Sequence, residues 1–278
     1  MRYGNAAWGF RETPLEKQLE LTREMNLPLL ELDVANAEGG VPLDADEARL
    51  AFTRGLYERY GIALDCACAG NDFTIGDPVA EAERVKRVID ICVGLRARYL
   101  RIFAGFSPVG EVVGARWDAM IAALRAVGEY ARGKVTLVVE THGGVTAYDD
   151  GVTHFHSVTT TEETLARMLA EIPENIMFLY DPANLWAAGH SDPSALLGVL
   201  GERVAAAHFK DFVPLPSGRL LPAACGEGQM DWKPILHALR GRDLPVLFEY
   251  ENTADVAEGS RRCRDFIFAA ERAAITAT

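Results

Sequence analysis

Alternation of strand-like and helix-like segments along the whole chain most constrains its fold. Short apolar segments rich in β-branched and aromatic residues alternate with longer segments whose apolar residues recur at helical spacing. The predicted strands cover residues 3–8, 29–33, 62–68, 99–103, 135–140, 176–181, 204–208 and 246–250. The predicted helices cover residues 14–26, 44–60, 78–98, 114–132, 161–172, 193–200, 231–240 and 255–274. Strand-then-helix units in series predict an α/β fold with a parallel sheet.

A closed barrel and an open doubly wound sheet both fit such alternation. The open sheet that binds dinucleotides carries a G-x-G-x-x-G loop after its first strand, and this chain has none there. Polar residues at the ends of the last four predicted strands would line one half of a common barrel mouth. We therefore predict a (β/α)8 TIM barrel that forms a single domain over residues 1–278.

The last four predicted strands each end in a side chain that can bind a metal. These side chains are Glu140, Asp181, His208 and Glu249. If the strands are parallel neighbours, the four groups converge at one end of the sheet. Three carboxylates and an imidazole would repel one another unless a cation lies between them, and a divalent metal is the simplest cation. The sequence thus predicts a metal site, with Glu251 as an alternative ligand to Glu249.

Strand alternation assigns further residues to the same mouth. His142 shares a face with Glu140, and Lys210 shares a face with His208, so we predict that both bind substrate. For Lys210, an ion pair with a neighbouring glutamate is an equally simple alternative. Glu227, which lies between two glycines in the loop after the seventh strand, is a third candidate for substrate binding. Glu31 and Arg101 are expected to form a buried structural ion pair. His154 and His156 are expected in a mobile loop, where they are solvated or contribute one hydrogen bond to substrate, and we assign no metal to them.

Composition limits the partners and the compartment. Of the 278 residues, 28 are basic and 40 are acidic, which gives a net charge of −12. Such a charge repels nucleic acid and anionic membranes, so neither is predicted as a partner. The five cysteines form no Cys-x-x-Cys pair, and no apolar run is long enough to span a bilayer. We expect a cytoplasmic protein, and a homo-oligomer is compatible with this composition.

Several motifs together resemble the xylose isomerase-like TIM barrel superfamily, and more narrowly its sugar phosphate isomerase/epimerase group. They are ETHGG at 140–144, YDPAN at 180–184, HFKD at 208–211, GEGQMDW at 226–232 and FEYE at 248–251. NDFT at 71–74 and LRIFAG at 100–105 add to the resemblance, which covers nearly the whole chain. Ketose 3-epimerases of this group usually carry a histidine three residues after the metal-binding aspartate, and here that position is Asn184.

The resemblance implies an isomerase or epimerase that acts on a small sugar-like substrate. It implies one divalent metal ion, with Mn²⁺ as our expected ion and Mg²⁺, Co²⁺ or Zn²⁺ as alternatives, bound by the four strand-end residues. It also implies that Glu140 and Glu249 are the catalytic pair, in which one removes the proton α to a carbonyl and the other returns a proton. Two other functions stay open, namely a multi-metal apurinic-site endonuclease and a non-catalytic sugar-binding barrel.

Overall fold

The structure is a computed structural model that describes residues 1–36 and 39–276. Parallel strands form a barrel sheet in the order β2-β1-β13-β10-β9-β6-β5-β4-β3. The barrel strands are β1 (Arg2–Asn5), β2 (Leu29–Leu30), β3 (Leu32–Asp33), β4 (Cys66–Cys68), β5 (Tyr99–Ile102), β6 (Thr136–Glu140), β9 (Ile176–Tyr180), β10 (Val204–Phe209) and β13 (Pro245–Phe248). The remaining strands, β7 (Gly144–Tyr148), β8 (Gly151–Phe155), β11 (Asp211–Pro214) and β12 (Leu220–Ala223), form a second sheet.

Strands β2 and β3 are two parts of one predicted strand, separated by Glu31. β2 pairs with β1 and β3 pairs with β4, so this interrupted strand joins the two edges of the sheet. A bridge between Leu29 and Ala63 continues the contact on the β4 side. The sheet is nearly closed, and the prediction of a (β/α)8 TIM barrel is confirmed.

Helices connect the strands and cover the outside of the barrel. They are α1 (Leu15–Glu24), α2 (Glu47–Tyr60), α3 (Pro78–Leu95), α4 (Ala115–Ala131), α5 (Glu162–Glu171), α6 (Pro182–Ala187), α7 (Ala195–Leu200), α8 (Trp232–Leu239) and α9 (Val256–Thr276). Asp77 and Asp231 accept hydrogen bonds from the first backbone N–H groups of α3 and α8. These caps begin both helices close to their predicted first residues.

The barrel interior is filled by side chains that point away from the helices. Val138, Leu179 and Ala206 come from three adjacent strands and form one small buried cluster, separate from the main core. Because side chains alternate along a strand, the residue two positions after each of these also points inward. Those residues are Glu140, Asp181 and His208, at the carboxyl ends of their strands.

The second sheet was not predicted. Its antiparallel strands have the order β11-β12-β8-β7, and a two-residue turn at Asp149 and Asp150 joins β7 to β8. The expectation of a loop around His154 is therefore wrong, because residues 144–155 form a hairpin. The six-residue helix α6 was not predicted either; it begins directly after Asp181.

Candidate metal centre and active site

Four predicted metal ligands meet at the carboxyl end of the barrel. Glu140, Asp181, His208 and Glu249 are all buried, and each offers one ligand atom within 4.8 Å of the other three. The hydrogen-bonding register explains the meeting: Ala207 lies opposite Tyr180, and the Glu249 N–H donates to the Phe209 carbonyl at 3.0 Å. The ends of adjacent parallel strands thus lie at one level of the barrel.

The surroundings of His208 give the clearest reason to think that these four side chains fit a divalent metal. Its buried Nδ1 atom has no hydrogen-bond partner among the described residues, and it lies 3.1 Å from Glu249 Oε1 and 3.9 Å from Glu140 Oε1. A neutral ring nitrogen that directs its lone pair at carboxylate oxygens is repelled by them, unless a cation lies between. Imidazole and carboxylates together are suitable ligands for Mn²⁺, Zn²⁺ and similar ions. The donor set therefore fits one such ion.

Glu31 lies on the other side of the His208 ring. Its Oε1 atom is 3.5 Å from His208 Nε2, and its Oε2 atom accepts a hydrogen bond from the Ala7 N–H. A carboxylate at this position favours the tautomer with the proton on Nε2, which leaves Nδ1 free to bind a metal. Glu31 was expected to pair with Arg101, but its carboxylate lies next to the His208 ring instead.

Asn184 connects two of the four ligands. Its buried side-chain amide donates to Glu140 Oε1 and to Asp181 Oδ2, both at 3.0 Å. The other Asp181 oxygen, Oδ1, accepts from the backbone N–H groups of Ala183 and Asn184 and so caps α6. Asp181 is thus both a helix cap and a candidate ligand. The sequence marked Asn184 only as a departure from a family pattern; its position three residues after Asp181, at helical spacing, was the available signal.

Two buried cations hold the outer oxygens of the glutamates. Arg101 Nε lies 3.3 Å from Glu140 Oε2. Lys210 Nζ lies 2.6 Å from Glu249 Oε2, 3.2 Å from Asp181 Oδ2 and 2.7 Å from Glu251 Oε1. Each glutamate therefore has one oxygen near His208 and the other on a cation.

The charges shift the pKa values of these groups in different directions. Burial and the Glu249 charge raise the pKa of Glu140 to about 7. Burial also raises the pKa of Asp181, although Lys210 opposes that shift. Burial disfavours the Glu249 carboxylate, but Lys210 and His208 outweigh it and hold its pKa well below the usual range. Burial likewise disfavours charge on His208, yet Glu249 and Glu31 raise the pKa of His208 well above its ordinary value. The carboxylates that favour a positive charge on His208 would equally favour a metal ion at this position.

The predicted substrate-binding residues have different surroundings. His142 lies next to the cluster, with its ring packed edge-on against Phe103 and Phe106 and its Nδ1 atom against the Gly143 carbonyl. Burial and the Lys210 charge lower the pKa of His142 to about 3. Lys210 lies within the cluster itself.

Glu227 bonds to residues outside the cluster. Its Oε1 atom lies 2.7 Å from Arg262 Nε on α9, and its Oε2 atom accepts from the Ala224 N–H. The substrate-binding role of Glu227 stays a prediction.

Comparison with known families identifies the fold group. The model of the family described as xylose isomerase-like TIM barrel matches residues 19–267. The chain belongs to this family. A comparison with curated protein sequences finds no match.

Solved structures share the fold of this xylose isomerase-like TIM barrel at low sequence identity. A probable 3-DHS dehydratase from Bacillus anthracis matches with a TM-score of 0.77 and 16% identity, covering 96% of this chain and 99% of that one. An L-ribulose 3-epimerase matches with a TM-score of 0.73 and 20% identity, covering 100% and 98%. A xylose isomerase domain protein from Planctomyces limnophilus matches with a TM-score of 0.73 and 15% identity, covering 91% and 90%. In the part of this chain that the structure describes, no helix is long and apolar enough to cross a membrane.

Proposed function

We propose that this xylose isomerase-like TIM barrel is a divalent-metal-dependent isomerase or epimerase. Its substrate would be a small sugar, polyol ketone or keto acid, and the reaction would move a proton on the carbon next to the carbonyl. The observation that carries the proposal is the paired arrangement of Glu140 and Glu249. Each directs one oxygen towards His208 Nδ1, from 3.9 Å and 3.1 Å, and each has its other oxygen on a buried cation.

Such a pair suits proton transfer on a bound substrate. When bound, a divalent ion supplies positive charge that stabilises negative charge developing on the substrate oxygens. One glutamate accepts the proton from carbon, and the other glutamate or the same one returns a proton to the product. Arg101 and Lys210 hold the two carboxylates in fixed orientations, so that the acceptor oxygens are in place before substrate arrives.

The names of related structures support a reaction of this class. Among the solved structures with this fold are an L-ribulose 3-epimerase, a D-tagatose 3-epimerase-like protein and a D-psicose 3-epimerase. A protein named as a probable 3-DHS dehydratase also has this fold, and loss of a carbon-bound proton can begin a dehydration as well as an epimerisation. Asn184, where ketose 3-epimerases usually have histidine, distinguishes the site of this chain from theirs.

Deuterium exchange tests the proposal even while the product is unidentified. The metal-loaded protein is incubated in D₂O with a panel of ketoses, inososes and small keto acids, and carbon-bound deuterium is measured by NMR. We expect exchange with at least one compound. Glu140→Gln and Glu249→Gln should each lower the exchange rate by roughly 10²- to 10⁴-fold, the usual effect of losing a positioned base. Glu129→Gln, an exposed residue at the end of α4, is the matched control.

Elemental analysis of each variant shows whether a lower exchange rate comes from the missing carboxylate or from loss of the bound metal ion. Exchange at the wild-type rate in both active-site variants, with metal still bound, would contradict the mechanism. Sugar binding without exchange in the wild-type protein would favour the binding-module alternative. Cleavage of abasic DNA would favour the endonuclease alternative.

A further inference from the structure

The hairpin of β7 and β8 brings a second histidine to the site. His154 lies in β8, opposite Val145 of β7. Its ring centroid is 6.3 Å from that of His142 and 5.2 Å from that of Phe212, which lies in β11. The segment that follows β6 and the segment that follows β10 therefore come together at this imidazole ring. It lies close enough to Lys210 for the charge of that residue to act on it.

One ring nitrogen of His154 lacks a hydrogen bond within the described part of the chain. Its Nδ1 atom is buried and has no hydrogen-bond partner among the described residues. A buried polar atom without a partner is destabilising, so such an atom beside a candidate binding site indicates a partner that arrives with the ligand. His142, by contrast, already uses its Nδ1 atom on the Gly143 carbonyl.

The residues around His154 indicate which chemical group of a ligand it can bind. Burial, followed by the Lys210 charge, lowers the pKa of His154 to about 4, so the ring is neutral near pH 7. The ring of Phe212 is apolar, and Lys210 is already engaged by three carboxylates. A hydroxyl group can donate to or accept from a neutral imidazole, whereas a phosphate or carboxylate would be buried beside a lysine whose charge is already compensated.

We propose that His154 binds a hydroxyl group of the substrate, on the side of the barrel mouth where the hairpin lies and next to His142. This inference rests on the proposed function and adds to it a substrate class, namely neutral polyhydroxy ketones. His154 is then a residue that positions substrate and sets specificity, and the hairpin holds it next to the site.

Substrates that differ by one hydroxyl group test the role of His154. Exchange of deuterium is measured for a ketose and for its deoxy analogues, with wild-type protein, His154→Phe and His154→Asn. Phenylalanine keeps the packing against Phe212 and removes the hydrogen bond. We expect His154→Phe to lower kcat/KM for the full ketose by about tenfold, mainly through KM. For the deoxy analogue that lacks the bound hydroxyl, the same variant should have nearly the wild-type kcat/KM. His154→Asn, which can still form a hydrogen bond, should recover part of the loss.

His156→Asn is the control, because His156 follows the same strand but bonds to Thr160. Equal kcat/KM values for wild type and both His154 variants on every substrate would overturn this inference and leave the proposed function intact. An equally large fall in kcat/KM in His156→Asn would also overturn it, because the effect would then come from any change near the end of β8 and not from His154 itself. If the wild-type protein exchanges no member of the panel, the proposed function fails and this inference with it.

Discussion

At the scale of single residues, the buried Lys210 ammonium is the unusual feature. It contacts carboxylate oxygens of Asp181, Glu249 and Glu251, and only 2% of its side chain is exposed. Burial disfavours the charged amine, but the three carboxylates outweigh it and raise the pKa of Lys210 well above its usual value. A lysine held in this way offsets part of the negative charge of the cluster whether or not a metal is bound.

Lys210→Met should therefore destabilise the metal-free protein. Removing one partner of a buried ion pair typically costs about 3–5 kcal/mol, because the remaining charges are left buried and uncompensated. Chemical denaturation of the chelated protein measures this loss. With Mn²⁺ present the loss should be smaller, since the ion supplies positive charge near Asp181 and Glu249. Lys233→Met, at an exposed position of α8, is the control. Equal unfolding free energies for the two metal-free variants would contradict this account of Lys210.

The sequence predicted the four strand-end residues because strand ends follow from hydrophobic pattern alone. It did not predict the partners of those residues. Glu31 and Arg101 were expected to pair with each other, yet they contact His208 and Glu140. Which of several inward charges meet depends on barrel closure and on side-chain rotamers, and neither leaves a periodic signal in the sequence.

At the scale of elements, the β7–β8 hairpin shows which part of the fold the sequence conceals. Its strands are mostly exposed or half-buried, so they lack the apolar periodicity by which the barrel strands were recognised. A weaker signal was present: β-branched residues on both sides of the Asp149-Asp150 turn followed by Gly151. The hairpin begins at Gly144, where an added Cβ atom would collide with the Phe155 ring and the Phe106 carbonyl.

Gly144→Ala should displace the hairpin while the barrel stays folded. Overpacking of this kind typically costs about 1–3 kcal/mol. Because His154 belongs to the hairpin, the rate of deuterium exchange into the substrate should fall as well. Hydrogen exchange measured by mass spectrometry should show faster exchange in β7 and β8, with unchanged protection of β6 and β9. Gly198→Ala, in α7 with open space around its Cβ position, is the control and should leave the hairpin unaffected. Unchanged protection of β7 and β8 in Gly144→Ala would show that the close approach at Gly144 is not required.

At the scale of the whole molecule, folding concentrates negative charge at one end of the barrel. The chain carries a net charge of −12, and the carboxylates of the buried cluster outnumber Arg101 and Lys210. Hydrophobic burial in the barrel and around the helices must offset the unfavourable free energy of burying these like charges together. A divalent ion relieves part of it, so metal binding and global stability are coupled.

Removing the metal should therefore lower the melting temperature of the entire barrel. A ligand that binds only the folded state at a hundred times its dissociation constant stabilises that state by about 2.7 kcal/mol. For a chain of 278 residues, that free energy corresponds to a rise of roughly 5 °C in Tm. Calorimetry of the chelated protein against the protein with excess Mn²⁺ measures the difference. Asp181→Asn should remove most of the rise, because it deletes a ligand while Asn can still accept the hydrogen bonds that cap α6. Asp231→Asn, at the N-cap of α8 and outside the cluster, should keep it. The same Tm with chelator and with Mn²⁺ in the wild-type protein would contradict the metal site itself.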